Sequence, residues 1–135
     1  SADAGVNTAP FGLPADLAVD GAGNVFVADH DRGTVDKVTP AGVVTTLARS
    51  QGAPFGVAVD GAGNVLVADP GNNVVLRITP AGEVRTIVGV ASSTMVGTLP
   101  GPLPASLGGP GDVAVNPANG RIYITVPSAI LLASW

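Results

Sequence analysis

Residues 14–42, "PADLAVDGAGNVFVADHDRGTVDKVTPAG", and residues 54–82, "PFGVAVDGAGNVLVADPGNNVVLRITPAG", align without a gap and agree at 17 of 29 positions. A repeat of this length is one supersecondary unit that cannot bury its own apolar faces, so the chain must stack copies against each other. A third, degenerate copy starts at "PGDVAVNPANGRIYITVPSAILLASW", residues 110–135, with Val113-Ala114-Val115-Asn116 in the place of Val57-Ala58-Val59-Asp60. Val126 takes the place of Asp29 and Asp69, and the loop that follows is two residues shorter.

Each unit reads as four strands. The first, at 17–19, is short and apolar and runs into the turn Asp20-Gly21-Ala22-Gly23-Asn24, where both glycines can take positive φ and the aspartate can bond turn amides. The second, at 25–28, is apolar at every position, the pattern of a strand covered on both faces. The third, at 35–39 and 74–79, stops at Thr-Pro-Ala-Gly, and the fourth, at 43–48 and 83–88, alternates polar and apolar as an outer strand does. Four antiparallel strands in about forty residues, packed face to face with copies of themselves, describe a propeller blade. The 19 glycines and 12 prolines, with only 4% aromatic residues, suit short strands joined by tight turns and leave no place for a helical bundle.

The run from Pro54 to Val75, P-x-G-V-A-V-D-x-x-G-N-V-x-V-A-D followed by Asn72-Asn73, closely resembles the NHL-repeat family of β-propellers, and the likeness extends over nearly the whole chain. The resemblance implies an all-β fold of four-stranded blades around a channel. Residues 1–135 then form a single NHL-type half-propeller: blade one at 11–50, blade two at 51–89, a long connecting loop at 90–109 and blade three at 110–135.

NHL domains usually close with about six blades, and this chain holds material for three. Three blades in an arc leave two apolar end faces, of a kind monomers rarely expose. A homodimer around a two-fold axis would close both and make a six-bladed ring. Blade three ends at Trp135, after its third strand, and the segment Gly5-Val6-Asn7-Thr8 could supply a fourth. The expected assembly interface is therefore Val6, Ile130, Leu131, Leu132 and Trp135. A blade triplet cut from a larger propeller, with no function of its own, is the other way to account for three copies.

In propellers of this kind the loops joining fourth to first strands and second to third strands open on one face. That face gathers Asp16, His30, Asp31, Arg32, Asn72, Asn73 and Asp112 as the candidate ligand-binding residues. Asp16 and Asp112 are equivalent positions at the channel mouth, and Gly56 stands there in blade two. In a two-fold dimer they would place four carboxylates around one axis, which could hold Ca²⁺ or another hard divalent cation through oxygen ligands. Solvated or turn-capping aspartates are the alternative, and no other cofactor is expected. Asp20 and Asp60 lack the alternating oxygen ligands of a calcium loop, since Ala22 and Ala62 stand there, and so read as turn residues. Asp29 and Asp69 end the buried strands, and the resemblance makes them structural too.

No reactive constellation emerges. There is no cysteine, one histidine, and no serine in a G-x-S-x-G elbow. The glycines lack the following lysine of a phosphate-binding loop. Metal-dependent lyases on related propellers use several histidines, and His30 alone cannot assemble such a site. The reading is therefore a non-enzymatic scaffold for a protein, peptide or small polar ligand, with a cation-dependent lyase or lactonase as the alternative.

With ten acidic and six basic residues the net charge is −4, and Arg32, Lys37, Arg49, Arg77, Arg85 and Arg121 are dispersed. Nucleic acid is therefore not an expected partner. No apolar run reaches the roughly 18 residues of a membrane span. The opening Ser1-Ala2-Asp3-Ala4-Gly5, without methionine, suits a secreted or extracytoplasmic protein after leader removal, or a trimmed chain.

Overall fold

The computed structural model describes residues 11–50, 52–71, 74–88, 111–126 and 129–133. Eleven strands form three antiparallel sheets, with no helix among the described residues. The first sheet has the order β1(Pro14–Val19), β2(Val25–Asp29), β3(Thr34–Val38), β4(Val44–Arg49). The second repeats it with β5(Gly56–Val59), β6(Val65–Asp69), β7(Val74–Ile78), β8(Val84–Val88). In the third, β10(Ile122–Val126) lies between β9(Asp112–Val115) and β11(Ala129–Ala133). These bounds differ by a few residues from those expected, most at β1, which starts at Pro14 because a bulge after it still allows pairing with Asp29.

Two-sided burial explains the unbroken apolar strands. Along β6, Val65 and Val67 pack towards the first blade, in a core with Phe26, Ala28, Val35, Val57, Leu76 and Ile78. Leu66 and Ala68 point the other way and pack with Val113, Ile122 and Ile124 of the third blade. Leu66, Val65 and Val67 are fully buried, and each contributes roughly 1.5–3 kcal/mol through the apolar surface it removes from water. Strands β1, β5 and β9 lie side by side as the innermost strands of their blades.

The turns follow from the sequence with one change. Asp20 Oδ1 accepts from the amides of Ala22 and Asn24, both at 2.9 Å, and Asp60 does the same for Ala62 and Asn64. Of the two glycines in each turn only the second, Gly23 at φ 86° and Gly63 at φ 84°, lies in the left-handed region, so Gly21 and Gly61 do not use the positive φ expected of them. In the third blade the turn is one residue longer, Asn116 N bonding Arg121 O where Asp60 N bonds Asn64 O. That insertion restores register, so Ile122 pairs with Val115 as Val65 pairs with Val59.

Candidate functional site

One end of the arc is built by the segments that enter β1, β5 and β9 and by the turns after β2 and β6. Asp29 and Asp69 fix these segments. The Asp29 carboxylate accepts from the amides of Gly12 at 2.8 Å, Leu13 at 3.0 Å and Arg32 at 3.2 Å, tying the entry loop to the β2–β3 turn. Burial opposes ionisation of this group, but those three amides and the Arg32 charge outweigh it and hold its pKa below the ordinary aspartate value. Asp69 accepts from Ala53 N at 3.0 Å and from the Ser50 hydroxyl, which joins the end of the first blade to the second. Gly52 leaves room for that carboxylate, because a Cβ there would run into Asp69.

Where the chain enters the innermost strands, Asp16 and Asp112 flank Gly56. Asp16 Oδ2 accepts from Val57 N of the next blade at 3.0 Å, and Asp112 Oδ1 accepts from the adjacent Val113 N at 2.8 Å. A side chain at Gly56 would lie 2.6 Å from Asp112 Oδ1 and 2.7 Å from Asp112 Cα, which explains the glycine in the middle blade. Asp16 Oδ1 and Asp112 Oδ2 accept no hydrogen bond among the described residues. Those residues include no group of three or more carboxylate or histidine side chains able to hold a metal ion. The described residues therefore offer two carboxylates here, short of the six to eight oxygen ligands Ca²⁺ takes.

His30 sits farther out, its ring edge-on to Phe55 with centroids 6.1 Å apart and planes at 85°. Its Nδ1 is buried without a hydrogen-bond partner among the described residues, and Phe55 is 47% exposed. Asp31 and Arg32 lie on the exposed turn beside it. Asn72 and Asn73, Val6 and Trp135 fall outside the described residues, and Ile130, Leu131 and Leu132 are placed as strand β11 by backbone alone. Asp20 and Asp60 lie at the opposite end, in the β1–β2 and β5–β6 turns. Phe55 was not foreseen; its signal is the Phe-Gly at 55–56 where the first repeat has Ala15-Asp16.

No family model matches the chain, and no curated relative does. Solved structures do. A gluconolactonase from Xanthomonas campestris superposes with a TM-score of 0.67 at 19% identity, over 86% of this chain and 35% of that one. The fold is that of a β-propeller. A virginiamycin B lyase from Staphylococcus aureus gives 0.66 at 17% identity, over 87% of this chain and 36% of that one. Regucalcin from Agrobacterium tumefaciens, a calcium-binding protein, gives 0.64 at 14% identity, over 92% and 46%. This propeller chain thus spans about a third of the first two, whose blades it shares in architecture.

Proposed function

We propose that the chain is half of a self-assembling six-bladed NHL-type propeller that binds a protein, peptide or small polar ligand at its loop-lined face. One observation carries this reading. The face that the second blade buries against the first is only partly covered on the first blade, where Leu17 of the innermost strand is exposed while Val27 and Val38 are buried. Val57 is 4% exposed and Val65 fully buried, whereas Leu17, at the position equivalent to Val57, is 61% exposed. Leu17, Val25, Val27 and Val38, with Phe11 and Pro14, line an apolar cavity of about 470 Å³ on that face. Closing it with the third blade of a second copy requires no surface that the repeat does not already use.

The mass in solution tests this. Light scattering over a wide concentration range is expected to show one species near 26 kDa, twice the 13.1 kDa of one chain. A folded monomer would refute it.

A second reading rests on Asp16 and Asp112. In the two-fold ring their four carboxylates would face one axis, with an unbonded oxygen on each, and a divalent cation held there would polarise a substrate oxygen. The gluconolactonase, lyase and calcium-binding neighbours give this alternative its substrate classes. Lactone hydrolysis with and without added Ca²⁺, lost in Asp16→Asn and Asp112→Asn, is its test.

A further inference from the structure

Both internal seams are closed by the same device, an innermost-strand side chain seated in a four-cornered hollow of the preceding blade. On the first blade, Asp16 pairs with Ala28 and Ala18 with Phe26, which puts these four residues at the corners of one patch. Val57 of the second blade seats on it: Asp16 accepts from its amide at 3.0 Å, and its side chain shares a core with Ala18, Phe26 and Ala28. On the second blade the corners are Gly56, Ala68, Ala58 and Leu66, paired in the same way. Val113 of the third blade seats there, in one core with Ala58, Leu66 and Ala68, while Gly56 lies against Asp112. Each of these two valines is only 4% exposed.

The ends of the arc carry the two halves of a third joint of this kind. On the third blade Asp112 pairs with Thr125 and Ala114 with Tyr123, so the four corners recur. Here they bound a shallow cavity of about 230 Å³, and Tyr123 is 36% exposed. At the other end stands Leu17, which pairs with Val27 as Val57 pairs with Val67 and is 61% exposed. The second blade packs between the first and the third, so a chain cannot seat its own Leu17 in its own hollow.

We infer that Leu17 of a second copy seats in the hollow bounded by Asp112, Ala114, Tyr123 and Thr125. The inference rests on the assembly proposed above and names the joint that closes it. Fit selects the occupant: a branched aliphatic side chain fills this patch in both internal seams, and the equivalent side chain that the arc leaves uncovered is Leu17. Tyr123 keeps the aromatic wall that Phe26 supplies to Val57, and Ala114 keeps the facing corner as small as Ala18 and Ala58 do. Seating Leu17 there removes a large exposed apolar side chain and one side of the Tyr123 ring from water together. Two copies make the joint twice, once at each seam.

A size swap read on the dimer dissociation constant tests this, using the full chain. Leu17→Ala trims the side chain that fills the hollow, and Ala114→Leu fills the hollow from its own side. Each affects both seams, so each is expected to weaken dimerisation at least about a hundredfold. Both positions are exposed in one chain, so circular dichroism is expected to be unchanged. The double variant, with the trimmed side chain facing the filled hollow, is expected to return to within about tenfold of the parent chain. Additive losses, or single variants as tight as a dimeric parent chain, would overturn the joint and leave the ring standing. The chain has no cysteine, so a short bis-maleimide supplies a second reading. Val19→Cys and Ala114→Cys occupy the positions of Val59 and Ala18, which pack in one core across the first internal seam. A mixture of the two variants is expected to cross-link and neither alone to do so; cross-linking of Val19→Cys with itself would mean that like faces meet, and would overturn the joint. A monomeric parent chain would overturn both the joint and the ring.

Discussion

Replacing Asp29 by valine removes the clamp that ties the first blade's entry loop to its β2–β3 turn, and the structure sets the size of the loss. Three amide bonds disappear, from Gly12, Leu13 and Arg32 at 2.8–3.2 Å. Bonds to a charged acceptor are worth about 1.5–3 kcal/mol each when the donor is left unsatisfied. All three donors belong to exposed residues, so water recovers part of each, and valine adds buried apolar surface at a site that is itself fully buried. The net loss expected is about 2–4 kcal/mol, or roughly 10 °C in Tm. Asp29→Asn keeps one acceptor oxygen and should lose about half of this.

The same clamp predicts a pH dependence whose sign is fixed. Asp29 has a folded-state pKa below its ordinary value of 3.8. Its contribution is therefore complete above the unfolded-state pKa and is lost as pH falls through the folded-state one. Urea unfolding followed by circular dichroism, at fixed chain concentration and stepped down from neutral pH, should show stability falling below about pH 4, more steeply in the parent chain than in Asp29→Val. A Val variant within about 0.5 kcal/mol of the parent, or a parallel pH profile, would refute the clamp.

Other outcomes follow from packing. Gly56→Ala should cost about 1–3 kcal/mol, as overpacking does, and Asp112→Ala should not rescue it, because Asp112 Cα itself stands 2.7 Å from the new Cβ; rescue in thermal melts would show that the conflict lies with the side chain. Leu66→Ala empties a fully buried site between the second and third blades and should cost about 2–5 kcal/mol in urea unfolding. Leu17→Lys places a charge on the open face and should leave circular dichroism unchanged while the mass falls to that of one chain; an intact dimer would move the seam elsewhere.

The parts of the fold legible from sequence are those written by local rules. The unbroken apolar run Val65 to Ala68 announces cover on both faces, and the structure gives each alternate residue its own neighbour, Val65 and Val67 the first blade and Leu66 and Ala68 the third. The Asp-Gly-Ala-Gly-Asn turns are equally local. What escaped the sequence depends on contacts across blades. Gly56 differs from Asp16 and Asp112 because the third blade's backbone passes close by, which no spacing reveals. Asp36 is buried in a strand whose repeat mate carries Leu76, and only register shows that the two stand at equivalent positions. The bond from Ser50 to Asp69 joins residues of different repeats and has no motif.

Charge gives the proposed ring one more measurable property. Within one chain Asp16 reaches forward to Val57 N, and Asp112 holds the equivalent position on the third blade. By the same geometry, Asp112 at a closing seam would reach Leu17 N of a second copy, next to that copy's Asp16. Gly56 separates the two carboxylates inside each chain, but nothing separates them across the seam. Two like charges brought together at each of two seams oppose closure, in a chain already at −4. Raising monovalent salt should therefore tighten the dimer, because screening weakens this repulsion while leaving the apolar seam intact. Ca²⁺ at far lower concentration should do so only if the carboxylates act together as ligands. Asp112→Asn separates the two effects: it should tighten the dimer at low salt and remove any response specific to Ca²⁺. A dimer that weakens steadily with salt would mean that attraction between charges closes the ring, and the apolar face would lose its leading part in assembly.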